Sequence, residues 1–224
     1  MPRRGVARLG RPRSTSRAEL QEVALRLFAD RGFDETSVED IATAAGIGRR
    51  TFFRYYSSKL DLVWGDFETE LEHMRAALGA TGPEVPMMQA VRAGVVGFNR
   101  IPPEIATQHR QRLALILGVP TLIANSTLRF AQWRGVVAEF VAARTGCGAE
   151  DLLPRVVAHC ALGAAVAAYE EWLQDPDADL TAILDDALGR LAAGFATTAP
   201  PARATPPPPP PPPPFTGSPS SAGR

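Results

Sequence analysis

Cysteine is scarce: Cys147 and Cys160 are the two in a chain of 224 residues. They cannot staple a secreted scaffold, and neither has metal-ligand spacing to a second Cys or His. His159 and Cys160 are adjacent, so on a helix their side chains diverge. His73 and His109 have no such partner at ligand spacing either. No metal and no cofactor is expected. Net charge is also missing, since 24 Lys and Arg balance 24 Asp and Glu. Long apolar runs are few: residues 156–169 are apolar but shorter than a membrane span requires. Arg3 and Arg4 have no apolar run behind them, so no export signal is expected. The expectation is a cytoplasmic protein without a membrane partner. Catalytic motifs are absent too. Gly46-Ile-Gly48 follows a helical pattern and lacks a third Gly, and there is no nucleophile elbow or phosphate loop. An enzyme is therefore not expected. Period-2 alternation is missing throughout, which excludes a sheet and leaves an all-α fold.

What is present is uneven. Residues 1–60 carry twelve basic and seven acidic side chains, whereas residues 61–224 carry twelve and seventeen. A basic head on an acidic body points one end of the molecule at a polyanion. Residues 1–15 form a Gly/Pro/Arg arm without hydrophobic period. Residues 16–60 carry short helical patterns, and residues 61–198 read as helix after helix, broken at Pro102-Pro103, Gly118-Val119-Pro120, Gly146-Cys147-Gly148 and Asp175-Pro176. From 199 to 224 the composition collapses into a proline run and then Gly and Ser, the signature of a solvated, extended tail.

The first helix opens on Ser16 with Glu19 three residues on, a capping box. Leu20, Val23, Ala24, Leu27 and Phe28 supply its stripe, Gly32 ends it, and Phe33 is placed to pack back on it. A second helix starts near Ser37 and stops at Gly46, a third spans about Arg49 to Tyr55, and a fourth runs from Ser58 to about Leu78. Residues 38–55 have the mechanics of a helix-turn-helix. Ala42 is small where two helices cross, and Gly46 supplies the positive φ of the turn. Ile41, Ala45, Ile47 and Phe52 can fill the small core between them. The free face of the third helix carries Arg49, Arg50, Thr51, Arg54 and Tyr55. Arginine reads guanine in a bidentate way, and threonine touches a thymine methyl or hydrogen-bonds a base. Tyr55 and Lys59 suit phosphates, as does the helix opening at Thr36 and Ser37. A helical interaction module is the rival reading, with the proline tail as its special support.

Residues 16–62 resemble the DNA-binding head of the TetR family of one-component regulators. Phe28-Ala-Asp-Arg-Gly-Phe33 matches the family's Phe-x-x-x-Gly-Phe, and Thr36 to Ile47 matches Thr-[Ser/Thr]-Val-x-x-Ile-Ala-x-x-Ala-Gly-[Val/Ile] in full. Phe52 to Lys59 is similar to Leu-Tyr-x-[His/Tyr]-Phe-x-x-Lys. Gly48 replaces a frequent serine, which weakens the cap of the reading helix, and Phe53 replaces a frequent tyrosine, which removes one phosphate hydrogen bond. Residues 10–16, 48–56 and 108–113 are also similar to the subfamily linked with the mycofactocin redox-peptide system. The resemblance implies a homodimer on a pseudo-palindromic double-stranded DNA operator, most simply a repressor released by a small-molecule effector.

Arg11 and Arg13, in an arm with arginines and no acid, suit a narrow minor groove or non-specific phosphate contact. Residues 156–169 are apolar nearly all round, and Gly163, Ala164, Ala167 and Ala168 permit close approach. With the striped last helix (Leu180, Ile183, Leu184, Ala187, Leu188, Leu191, Phe195) they fit the two-helix contribution to the family's dimer interface. Trp64, Phe67, Phe98, Phe130, Trp133, Tyr169 and Trp172 are candidates for the effector pocket. Arg100, His109, Arg110 and Arg112 are its possible polar anchors. The family's ligands suggest an apolar tail with an anionic head, such as an acyl thioester.

Overall fold

The computed structural model describes residues 15–194, so the arm with Arg11 and Arg13 and the proline tail lie outside the described residues. The described residues form ten α-helices, one 3-10 turn at Pro103–Ile105 and no strand. The first three, α1 (Arg17–Arg31), α2 (Val38–Ala44) and α3 (Arg49–Tyr55), make the head. The capping box read at Ser16 and Glu19 forms at α1, and the structure adds a second, Ser37 with Asp40, at α2. Phe33 packs on Phe28 with ring centres 5.0 Å apart. The stripe of α1 is displaced from its expected line. Leu25 and Gln21 are buried, while Val23 and Leu27 are half-exposed.

The expected fourth helix is two helices, α4 (Lys59–Trp64) and α5 (Phe67–Gly79). The chain breaks at Gly65, with φ 63° and ψ −131°, a combination open essentially to glycine alone. The side-chain amide of Gln21 fills the space where a Cβ would stand, 2.7 Å away.

The body continues with α6 (Met87–Phe98), α7 (Ala106–Gly118), α8 (Pro120–Thr145), α9 (Leu152–Gln174) and α10 (Leu180–Ala192). A bend of 99° separates α7 from α8, with Pro120 in the first turn of α8 where its missing N–H costs nothing. Arg144 closes the α5–α6 loop by donating to the carbonyls of Thr81, Gly82, Pro83 and Val85. α9 packs against α8 on one side and α10 on the other.

α9 departs from its sequence reading. At 23 residues it is long and apolar enough to cross a membrane by length and composition, because the helix runs beyond the apolar stretch at both ends. Its inward side, Ala158, Ala161, Ala165, Ala168 and Trp172, is buried in the bundle. Its outward side exposes Leu152, Leu153, Val156, Cys160, Gly163 and Ala167.

Candidate DNA-reading face and effector cavity

The turn between α2 and α3 is made by Gly46 at φ 67°, which an L side chain adopts only at a cost. Ile41 and Phe52 are fully buried beneath it and Ala42 nearly so, while Ala45 and Ile47 pack at the edge. Hydrogen bonds from Ser37 hold the Asp40 carboxyl below its usual range, so α2 opens on an ionised cap. Gly48 caps α3 without a side-chain hydrogen bond, leaving early backbone donors of α3 open.

Arg49, Arg50, Phe53 and Arg54 stand exposed on α3, with Thr51 half-buried. Arg49 pairs with Glu39 and lies over the Phe53 ring at 5.5 Å. Arg54 lies over the Tyr55 ring at 5.2 Å. Arg50 has no ion pair among the described residues.

Three expected phosphate contacts point their polar atoms inward instead. The Thr36 hydroxyl is buried and donates to the Gly32 carbonyl at 2.7 Å. The Lys59 ammonium donates to the carbonyls of Phe33 (2.8 Å), Asp34 (3.3 Å) and Thr36 (3.0 Å), above the Phe33 ring. These carbonyls lie in the α1–α2 loop, so the charge of Lys59 is satisfied inside the head. Tyr55 donates to the Thr15 carbonyl at 2.5 Å and Tyr56 to the Arg17 carbonyl at 3.1 Å. The two phenols fix the start of α1 against α3.

A cavity of 360 Å³ lies between α1, the α4–α5 break and α6 to α9. Six of the expected pocket aromatics line it: Trp64, Phe67, Phe98, Phe130, Trp133 and Tyr169. Trp64 meets Phe67 and Phe130 edge-on at 5.1 and 6.0 Å, and Phe67 meets Phe98 at 6.2 Å. Arg100, His109 and Arg112 line it as well. Arg110 and Trp172 do not, which corrects the sequence reading. Arg110 stacks on the Trp172 ring at 4.0 Å and donates to the carbonyls of Trp172 and Pro176, and the Trp172 indole donates to the Ala178 carbonyl. Together they fasten the α9–α10 loop.

Gln21 and Asn99 are among the lining residues that escaped the sequence reading. Gln21 donates to the Leu62 carbonyl at 2.8 Å, tying α1 to α4. Asn99 accepts from the Tyr169 hydroxyl at 2.7 Å and donates to the Val95 carbonyl. Their only advance signal is a polar residue at a core position of a helical stripe. Burial pushes the Tyr169 phenol up to about 12, against the pull of the Asn99 bond. Burial, and then the nearby Arg112 charge, push His109 down to about 4. Burial also holds Arg112 below its ordinary value.

Side chains bridge head and body. Thr121, in the first turn of α8, donates to the Asp34 carboxylate at 3.1 Å. Within the body, Arg129 of α8 pairs with Asp61 on α4 at 3.2 Å and with Glu68 on α5, spanning the break at Gly65.

Comparison with known proteins agrees with this architecture. Residues 20–63 match the family described as bacterial regulatory proteins, tetR family, and residues 85–196 match the MftR C-terminal domain. The chain is 43% identical over 188 residues to the protein named as a mycofactocin biosynthesis transcriptional regulator, MftR, of Mycobacterium tuberculosis, covering 84% of this chain and 95% of that one. It is 30% identical to the HTH-type transcriptional regulator TcmR of Streptomyces glaucescens, over 75% of this chain and 77% of the other. Among solved structures, FadR of Bacillus subtilis in complex with stearoyl-CoA superposes with a TM-score of 0.56 at 17% identity, over 80% of this chain and 99% of that one. The chain belongs to the TetR family of bacterial transcriptional regulators, with a helix-turn-helix DNA-binding head and a C-terminal domain of the mycofactocin-regulator type.

Proposed function

We propose that this regulator is a repressor that binds a pseudo-palindromic operator as a homodimer and is released by an apolar small molecule. The observation that carries the reading is the exposed arginine face of α3, set on a head that Thr121 fastens to a body with an aromatic cavity. Arg49, Arg50, Thr51 and Arg54 read the major groove, and Phe53 lies against the backbone. Ser37 and the open donors behind Gly48 position phosphates. Arg11 and Arg13 reach the adjacent groove or its phosphates. Residues 1–15 act as an arm, 16–60 as the reading head, 61–198 as the effector and dimer domain, and 199–224 as a tail outside both tasks.

The dimer forms through α9 and α10. Support comes from the outward stripe of α9, where Leu152 is 76% exposed, Leu153 49% and Val156 47%, beside small residues that let a second copy approach. The same helix is packed between α8 and α10, which favours a protein partner over a bilayer and a cytoplasmic location.

The effector is an apolar molecule such as an acyl thioester. The aromatic cavity supports this, as do two similar folds, FadR of Bacillus subtilis in complex with stearoyl-CoA and Thermus thermophilus FadR in complex with lauroyl-CoA. Filling the cavity moves α4 relative to α1, changes the spacing of the paired heads, and releases DNA. Nuclease footprinting on the DNA flanking the regulator's own gene tests the proposal. Two protected half-sites about one helical turn apart are expected. A single unpaired half-site would rule out the dimeric reader.

A further inference from the structure

An acid stands among the arginines of the reading face. Glu39, in the first turn of α2, pairs with Arg49, the first residue of α3. The neighbouring Asp40 is already engaged, completing the cap with Ser37 and lying 3.8 Å from Arg31. Glu39 takes no part in that cap, and its partner is ten residues away on the next helix. The two side chains are 53% and 66% exposed, so the pair adds little to stability. An acid in this place also weakens the attraction to a polyanion. Arg49 is held from a second side as well. Its guanidinium lies over the Phe53 ring at 5.5 Å. Phe53 is in turn braced edge-on against the buried Phe52 at 5.4 Å, so this platform is anchored in the core of the head.

From this two-sided hold we infer that Glu39 is a specificity-determining residue: with Phe53 it fixes Arg49 in the pose that reads a guanine, and it penalises binding to phosphates alone. The inference rests on α3 as the groove-reading helix and goes beyond it by giving an acid on α2 a part in base choice. Carboxylate and ring engage one terminal nitrogen and one face of the guanidinium. The edge formed by Nε and the other terminal nitrogen has no protein partner among the described residues. Arginine carries five N–H donors in a planar fork, enough to keep the ion pair and still meet guanine O6 and N7. Any other base offers that edge at most one acceptor, and the donor left over is then shut off from water without a partner. An arginine already in position also loses less side-chain freedom on docking. A phosphate, by contrast, would draw Arg49 away and leave the Glu39 carboxylate unpaired beside a polyanion. Arg50 and Arg54 have no acid partner among the described residues, so this control falls on Arg49.

The test begins by enriching the preferred duplex of the full chain from a randomised DNA pool. Affinities for that duplex, its single-base variants and a random duplex are then compared by fluorescence anisotropy. Glu39→Gln, which removes the charge and keeps the shape, binds the random duplex more tightly, with a salt slope steeper by about one. Its discrimination at one G·C pair falls roughly fivefold or more. Phe53→Leu relaxes the same pair without tightening random binding, because no charge changes. In an Arg49→Ala background, Glu39→Gln no longer alters base preference. Unchanged discrimination in Glu39→Gln, or an equal change with Arg49 absent, overturns the inference and leaves the groove-reading helix standing. If the natural chain enriches no duplex at all, the inference falls together with the operator reading.

Discussion

Arg50 is the arginine of the reading face with the fewest commitments. Arg49 is held by Glu39, and Arg54 lies over Tyr55. Arg50→Ala should therefore lose about 1–3 kcal/mol on the preferred operator and relax one base preference, which a binding series over single-base operator variants would read. An equal loss on every sequence would make Arg50 a phosphate contact. His109 gives a second residue-scale prediction. Its folded pKa of about 4 lies below the ordinary histidine value. Between those two values the unfolded chain binds the proton and the folded one does not, so the contribution present above about pH 6.5 is lost as pH falls towards 4. The melting temperature should fall more steeply across that window in the natural protein than in His109→Asn. Parallel curves would show that the imidazole is not buried as described. At this scale the sequence reveals residue types better than directions. Lys59 and Tyr55 have the right chemistry for phosphates, yet their partners are backbone carbonyls remote in sequence, which no local pattern displays. Arg110 and Trp172 were legible as an aromatic and an anchor, but their stacking on each other turned them away from the cavity.

Helix ends were the most legible elements. The capping box at Ser16, the helix start at Ser37 and the glycine at 46 each carry a local mechanism, and the limits of α3 were readable to the residue. The α4–α5 break was not readable, because a glycine within a helical pattern is ordinarily tolerated. Its cause is long-range: Gln21 occupies the space beside Gly65 and holds the Leu62 carbonyl. Gly65→Ala should accordingly destabilise the protein by about 1–3 kcal/mol, read by thermal or denaturant unfolding. No loss would mean that the break is not enforced by Gly65. The extent of α9 was underestimated for a different reason. Its ends are polar enough to leave the apolar run but are still helical, so hydropathy marks the middle of the element and not its limits.

At the scale of the molecule, the proposed dimer joins the exposed stripe of α9 to the basic head, because pairing the bodies there would set the distance between the readers. Val156→Glu places a charge on that stripe at a residue already 47% exposed, so the subunit should remain folded. Sedimentation should then show a monomer, with operator affinity reduced by well over tenfold because the second head no longer binds as part of the same complex. A dimer that persists with full affinity would place the interface elsewhere. The all-α architecture was legible because one helical period runs through the chain without competition. The cavity was legible only as a set of aromatics, since which of them share a wall is decided by the bend between α7 and α8 and by the break at Gly65. The central claim, that the arginine face of α3 reads DNA, is tested most directly by the operator affinity of the full chain across a range of salt concentrations. The account predicts a steep linear fall of log affinity with log salt, made shallower when Arg49, Arg50 and Arg54 are replaced together by alanine. A slope that stays the same after that replacement would contradict it.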